Sequence, residues 1–185
     1  AISRRHQIPL RVFVILVLCA AMVWRPGYQF LIGWAAAYSI VQLAEQQALK
    51  AFLTWGNYIL SKKNDLPARE REIVILRIGY LCRSGYEWTQ HVGIGLRSGL
   101  TETEVARIKA GADADGWSAG DAALIRASDE LHHDQFITSS TWTALKAHFS
   151  DKQCMDLVFT AGQYTQVSMM LNSFGVQLDE GQTLD

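Results

Sequence analysis

The sequence is poor in cysteine, and none of its cysteines lies at the spacing of a redox or zinc motif. Only Cys19, Cys82 and Cys154 are present in 185 residues, and long stretches separate them. An odd number of distant cysteines argues against a disulfide framework and against a cysteine-based zinc site. We therefore expect a core held together by packing, without disulfides.

A surplus of charge of one sign is also missing. The chain has 17 lysine and arginine residues and 18 aspartate and glutamate residues, mixed along its length. Nucleic-acid-binding proteins display a basic stripe, so we expect no nucleic-acid partner. There is no glycine-rich phosphate-binding pattern and no β-hairpin signal. The length predicts a single domain, and from Ser61 onward the composition is typical of a cytoplasmic protein.

Long uncharged apolar runs occur near the start of the chain. The run "VFVILVLCAAMVW" covers residues 12–24, and "FLIGWAAAYSIV" follows a break at residues 25–27. A membrane-spanning helix needs roughly 20 such residues. Three alternatives stay open: a buried helical hairpin, a poorly ordered leader, or a signal or anchor through residues 10–41 that makes the protein exported or membrane-associated. We divide the chain into an apolar segment, residues 1–35, and a domain, residues 36–185.

The rest of the chain has helical periodicity. Apolar residues recur at steps of three and four from Val41 to Leu60, and Leu66-Pro67 opens a second helix. That helix contains "IVILRIGYLC", whose β-branched residues would also suit a strand, but its charged start favours a helix. Five further helices are predicted. One runs from Tyr86 to about Arg97, and another runs from the capping box of Thr101 and Glu104 to Ala110. The other three begin at Ser118, at Ser139 or Ser140, and at Ser150 with Gln153. The pattern predicts an all-α bundle.

One stretch, "LCRSGYEWTQH" at residues 81–91, gathers chemically active side chains. If residues 84–91 are helical, Glu87 and His91 lie one turn apart, about 40° from each other, with Ser84 on the same face. Cys82 then points to the opposite side, into the core. A carboxylate hydrogen-bonded to an imidazole fixes its tautomer and raises its basicity. The spacing is compatible with an acid/base pair, but such pairs occur on many helices, and spacing alone favours an ordinary exposed helix face.

The segment "LPAREREIVILRIGYLCRSGYEWTQHVGIGLRSGLTETEVARI" resembles the carboxymuconolactone decarboxylase / AhpD-like alkylhydroperoxidase superfamily. The likeness extends from "KAFLTWGNYIL" to "GQYTQVSMMLNSFGVQLD". AhpD-like peroxidases carry a glutamate, eleven residues, a cysteine, two residues, a second cysteine, three residues and a histidine. In that register the positions here are Glu72, Ser84, Glu87 and His91. Serine and glutamate thus replace both peroxidase cysteines.

The resemblance implies an all-α AhpD-like fold that assembles as a homotrimer or homohexamer around small-molecule pockets. It also implies a cofactor-independent, decarboxylase-like lyase, because the decarboxylase branch does without the cysteine pair. Such an enzyme removes carbon dioxide from a small carboxylated, unsaturated lactone and moves a proton along the conjugated system.

The resemblance also implies roles for individual residues. His91 would donate the proton and Glu87 would orient it, whereas Glu72 would be a second base or a partner of a nearby arginine, Arg77 or Arg83. The complete set of expected catalytic residues is His91, Glu87, Glu72 and Ser84. The expected substrate contacts are an apolar wall of Tyr86 and Trp88, and a carboxylate partner in Arg83 or Arg97.

Two other functions stay open at this point. One is peroxide reduction through Cys82 alone. The other is a non-catalytic helical oligomer, tethered to a membrane by residues 10–41. A metal site of Glu72, Glu87 and His91 is chemically conceivable, but we expect none because no second histidine lies at ligand spacing.

Overall fold

The computed structural model describes residues 29–182, and within them it contains seven helices and no strand. The helices are α1 Gln29–Leu60, α2 Ala68–Leu81, α3 Gly85–Arg97, α4 Glu102–Ala110, α5 Ala119–His133, α6 Ser139–Lys146 and α7 Asp151–Ser173. The predicted all-α class is confirmed. The apolar run at residues 12–24 lies outside the described residues. The division at residue 36 and the trimer or hexamer stay predictions.

The chain divides into two compact units between Trp55 and Gly56. The described part of the first unit is the greater part of α1. Apolar side chains of this helix, among them Leu43, Leu49 and Leu53, are more than half exposed. Across residues 29–182, no helix combines the length and the apolar character needed to cross a bilayer.

The second unit is built around α2, which packs against α3, α5 and α7. Ile73, Val74, Ile75 and Leu76 are all fully buried, so four successive residues point into the core on every side of the helix. A helix whose middle is buried on every side lies at the centre of its bundle. This placement explains why "IVILRIGYLC" has the composition of a buried strand and yet folds as a helix. Burying each of these aliphatic side chains stabilises the fold by about 1.5–3 kcal/mol.

Side-chain caps start most of the later helices. The predicted capping boxes are present at Thr101 with Glu104 and at Ser150 with Gln153. The prediction for α6 was wrong by one residue, since Thr138 caps this helix by accepting a hydrogen bond from the Thr141 backbone N–H. Thr138 is favoured because the Glu130 carboxylate accepts bonds from both its backbone N–H and its hydroxyl, each at 2.8 Å.

The junction between α2 and α3 is a tight left-handed turn. Arg83 has φ 54°, and the backbone N–H of Ser84 donates to the Gly79 carbonyl at 2.9 Å. Ser84 is the N-cap residue of α3 and has non-helical backbone angles. The assumption that residues 84–91 form one continuous helix was therefore wrong at Ser84, because the chain turns just before Gly85.

Candidate active site

His91 is hydrogen-bonded to a carboxylate from the neighbouring helix. Its Nδ1 lies 2.8 Å from Oε2 of Glu72, and the two side chains are buried, with residue exposures of 9% and 1%. The expectation that Glu87 orients His91 was wrong: the hydrogen-bond partner is Glu72 of α2, not the residue one turn earlier on α3. A carboxylate that accepts the Nδ1 proton leaves Nε2 as the atom that exchanges a proton with another molecule.

Glu87 is held separately, and its carboxyl is strongly perturbed. Oε2 accepts a hydrogen bond of 2.9 Å from the Ser168 hydroxyl on α7, whereas Oε1 is buried without a hydrogen-bond partner among the described residues. Burial raises the pKa of Glu87 to about 8, and the Ser168 hydrogen bond opposes part of that rise. At neutral pH Glu87 is therefore mostly a neutral carboxylic acid, which can donate a proton.

Tyr164 packs against His91 and is influenced by the charges of both carboxyl groups. Its ring meets the His91 ring edge to face, with centroids 4.9 Å apart. The pKa of Tyr164 is raised by burial first and then by the negative charges of Glu72 and Glu87. Both carboxyl groups are therefore close enough to act on this phenol. Ser168 lies one turn after Tyr164 on α7. It was not among the residues expected from the sequence, because no local pattern marks it.

A surface cavity of about 270 Å³ opens at the α2–α3 junction. Its lining residues are Gly79, Tyr80, Arg83, Ser84, Gly85, Trp88 and Lys109. We call it the α2–α3 cavity. Ser84, Trp88 and Arg83 were expected from the sequence, and Lys109 of α4 was not. The Ser84 hydroxyl and the Trp88 indole N–H are buried and lack hydrogen-bond partners among the described residues.

The α2–α3 cavity borders the Glu87 carboxyl through Gly79. A Cβ placed on Gly79 would come within 2.9 Å of Glu87 Oε1, so glycine is what allows the carboxyl to approach the α2 backbone so closely. The acid therefore lies directly behind one of the residues that line the cavity.

Tyr86 lies at a different cleft. That cleft, of about 490 Å³, is formed by Gly85 and Tyr86 together with the end of α7 and residues 175–178. Neither of these two cavities has the expected apolar wall of Tyr86 and Trp88 together, because Tyr86 lines this cleft and Trp88 lines the α2–α3 cavity.

Other sequence candidates take structural roles. Arg77 pairs with Asp129 and donates to the Ile108 and Lys109 carbonyls, so it is not a partner of Glu72. Arg97 lies exposed in the last turn of α3. In the part of the chain that the structure covers, no group of three or more metal-ligating side chains is arranged to hold a metal ion.

Cys82 caps the end of α2 and packs against the core. Its Sγ lies 3.7 Å from Nδ1 of His132. Burial is the main cause that raises the pKa of its thiol, and the charge of Glu87 raises it further. A thiol with a raised pKa is a poor nucleophile at neutral pH because little of it is thiolate.

Comparison with known proteins agrees with the resemblance found in the sequence. The family model of the carboxymuconolactone decarboxylase family matches residues 46–130. A protein of unknown function from Agrobacterium tumefaciens, described with a proposed antioxidant defence role as AhpD, is similar in structure with a TM-score of 0.67 and 20% identity, over 74% of this chain and 93% of that one.

Two further solved structures share the fold. An uncharacterized peroxidase-related protein from a Silicibacter species has a TM-score of 0.65 and 13% identity, with 74% of each chain covered. An uncharacterized peroxidase-related protein from Ralstonia eutropha, described as an alkylhydroperoxidase AhpD core, has a TM-score of 0.65 and 15% identity, covering 77% of this chain and 76% of that chain. No curated protein matches the chain.

Proposed function

We propose that this chain, whose residues 46–130 match the carboxymuconolactone decarboxylase family, is a cofactor-independent acid/base enzyme of the decarboxylase type. Its substrate is a small carboxylated lactone, and its acid/base groups are His91, Glu72 and Glu87. The observation that carries the proposal is the buried Glu72–His91 hydrogen bond next to a Glu87 carboxyl that stays protonated at neutral pH.

The reaction requires an acid more than a nucleophile. When the bond between the ring and the substrate carboxylate breaks, carbon dioxide leaves and its electron pair spreads over the conjugated system. A proton must then reach the far carbon of that system. Glu87 is suited to donate it, because burial holds its proton and Oε1 has no hydrogen-bond partner among the described residues.

Glu72 and His91 supply the second proton-transfer group. Glu72 fixes the ring of His91 through Nδ1, so that Nε2 can return a proton to Glu87 or stabilise the developing oxyanion through a hydrogen bond. Net turnover consumes one proton and releases one carbon dioxide, so no electron acceptor or metal is needed.

The test is carbon dioxide release from an unsaturated lactone that carries a ring carboxylate. We expect Glu87→Gln and His91→Ala each to lower kcat by about 10² to 10⁴, the usual contribution of a positioned acid or base. The exposed His148 is a matched control, and His148→Ala should leave kcat unchanged. Equal rates for all four proteins would rule the proposal out.

The activity should also depend on pH in a defined direction. Because the pKa of Glu87 is about 8, the rate should fall as pH rises through that value and the acid form is lost. In Glu87→Gln the residual rate should not show this alkaline fall.

Peroxide reduction through Cys82 is the second candidate. The contact between its Sγ and His132 favours it, as does the fold shared with peroxidase-related proteins. The thiol would take one oxygen from a hydroperoxide to give a sulfenic acid and an alcohol, and an external thiol would reduce it. The raised pKa of Cys82 argues against this activity. Hydroperoxide consumption that disappears in Cys82→Ser would establish it in place of the acid/base function.

A further inference from the structure

Two side chains that the proposed reaction leaves unused meet at the ends of α2 and α5. Cys82 is the C-cap of α2, and His132 lies in the last turn of α5. The Cys82 Sγ is 3.7 Å from the His132 Nδ1, a hydrogen-bonding distance for sulfur. Both residues are partly exposed, so solvent reaches this contact. Because burial raises the pKa of the Cys82 thiol, the group keeps its proton at neutral pH and can both donate and accept a hydrogen bond.

Helix α7 continues the contact from Cys82 into the core. The Asn172 side chain donates to the Cys82 carbonyl at 2.9 Å, and one turn earlier on the same helix the Ser168 hydroxyl is hydrogen-bonded to the Cys82 thiol. Ser168 is fully buried and donates its hydroxyl proton to Glu87 Oε2 at 2.9 Å. A hydroxyl has one proton to donate, so towards Cys82 the Ser168 oxygen is the acceptor and the S–H group is the donor.

Ser168 is the hydroxyl that leads from the thiol to Glu87. The Thr165 hydroxyl is also hydrogen-bonded to the thiol, but it donates its own proton to the Ala161 carbonyl at 2.8 Å. A backbone carbonyl does not take up a proton at neutral pH, so this branch ends there. The path from Cys82 therefore continues through Ser168.

We infer that His132, Cys82 and Ser168 form a proton relay between solvent and the buried carboxyl of Glu87. Its members come from four elements, which are α5, the end of α2, α7 and α3. Exposure falls along the relay, from the partly exposed His132 to 0% at Ser168 and 2% at Glu87. Hydrogen bonds that all point the same way let a proton enter at one end and leave at the other.

One cycle of the relay moves one proton and transfers no electron. His132 takes a proton from water at Nε2 and releases the Nδ1 proton to the Cys82 sulfur. The thiol passes its own proton to the Ser168 oxygen, and Ser168 passes its hydroxyl proton to Glu87 Oε2. Each of these three groups gains one proton and loses one, so the net change is protonation of the Glu87 carboxylate. His132 returns to its starting tautomer by exchange with water.

The need for the relay rests on the proposed function, in which Glu87 gives up a proton in every turnover although it is only 2% exposed. His132 is suited to collect the replacement. Its pKa is lowered by burial first and then by the charge of His133, so the ring is mostly neutral at neutral pH and can take up and release a proton. Supply from the Oε2 side leaves His91 available to stabilise the oxyanion.

The experiment follows the protonation of Glu87 in the full-length protein without substrate. A light-triggered pH jump from about pH 9 to about pH 7 crosses the pKa of Glu87, which is about 8. Time-resolved infrared spectroscopy records the carboxylic acid C=O band that appears after the jump. The band belongs to Glu87 if it is missing in Glu87→Gln.

Two variants break the relay at different links, and a third restores it. Cys82→Ala and His132→Gln should each slow the appearance of the band by at least about tenfold, because each removes a group that passes the proton on. Cys82→Ser replaces the thiol with a hydroxyl that also donates and accepts, so its rate should stay within about threefold of the parent rate. A purely structural role for Cys82 predicts instead a shifted titration midpoint and no recovery with serine.

Matched controls are available for both types of substitution. Cys154 is a second free cysteine, 1% exposed on α7, and Cys154→Ala removes a thiol outside the relay. His148→Gln makes the histidine substitution at an exposed position. Both controls should keep the parent rate.

Equal rates in the parent, Cys82→Ala and His132→Gln would overturn the inference, and so would a Cys82→Ser protein as slow as Cys82→Ala. This failure is distinct from failure of the proposed function. Relay-dependent protonation in a protein that releases no carbon dioxide from carboxylated lactones leaves the relay standing and removes the decarboxylase. Carbon dioxide release with a protonation rate that is the same in all these variants does the reverse.

Discussion

Replacing Glu87 by glutamine should make the protein more stable at alkaline pH, although it removes a group that we assign to the chemistry. Glu87 is 2% exposed, and Ser168 donates a hydrogen bond to its Oε2. The glutamine amide oxygen can accept the same bond, and its volume is nearly that of the acid. The substitution therefore removes an ionisable group with little change in packing.

The size of the effect follows from the pKa of Glu87, which burial raises from 4.5 to about 8. Between these values the unfolded chain ionises at Glu87, whereas the folded protein keeps the proton. The folded state then binds more protons, so its stability falls with rising pH by about 1.4 kcal/mol per pH unit. The loss is absent below pH 4.5, reaches about 3 kcal/mol at neutral pH and about 5 kcal/mol above pH 8.

The assay is urea unfolding of the parent and Glu87→Gln at about pH 5, 7 and 9. The difference in unfolding free energy should grow in favour of Glu87→Gln over this range. Glu102→Gln, at an exposed glutamate in the first turn of α4, is the matched control and should keep the pH dependence of the parent. A constant difference between the parent and Glu87→Gln would show that Glu87 ionises normally and would refute the reasoning.

Two other substitutions test the hydrogen bonds that the structure assigns. Glu72→Gln should lower kcat by about 10² or more with little change in KM. The reason is that the substitution disturbs the orientation of His91 and leaves the substrate contacts in place. A changed KM with constant kcat would contradict that role. Thr138→Ala should lower the free energy of unfolding, measured in urea, by about 1–2 kcal/mol, because the α6 cap is lost. Ser139→Ala is the control and should have almost no effect. Equal effects of the two substitutions would contradict the assignment of the cap.

The fold was accessible from the sequence because its signals are local. Proline, capping boxes and three- and four-residue periodicity each report on a few neighbouring residues, and they predicted every helix from α2 onward apart from small shifts at the ends. The α2–α3 turn was harder to place. The predicted helix start at Tyr86 placed a break just before that residue, but the left-handed residue is Arg83, whose side chain gives no sequence signal for positive φ.

The site was only partly accessible, because its contacts join distant segments. Spacing along one helix suggested Glu87 as the partner of His91, whereas the structure supplies Glu72 from the preceding helix. Ser168 and Lys109 come from α7 and α4, and no local pattern links either of them to "LCRSGYEWTQH". The register of the family motif did include Glu72, because a family motif records residues that meet in space.

The most direct test of the account compares carbon dioxide release from a carboxylated, unsaturated lactone by the parent protein, Glu87→Gln and Cys82→Ser. We predict that the parent and Cys82→Ser release carbon dioxide at similar rates and that Glu87→Gln is slower by about 10² or more. The account would be contradicted if Glu87→Gln kept the parent rate, or if the parent released no carbon dioxide and instead consumed hydroperoxide through Cys82.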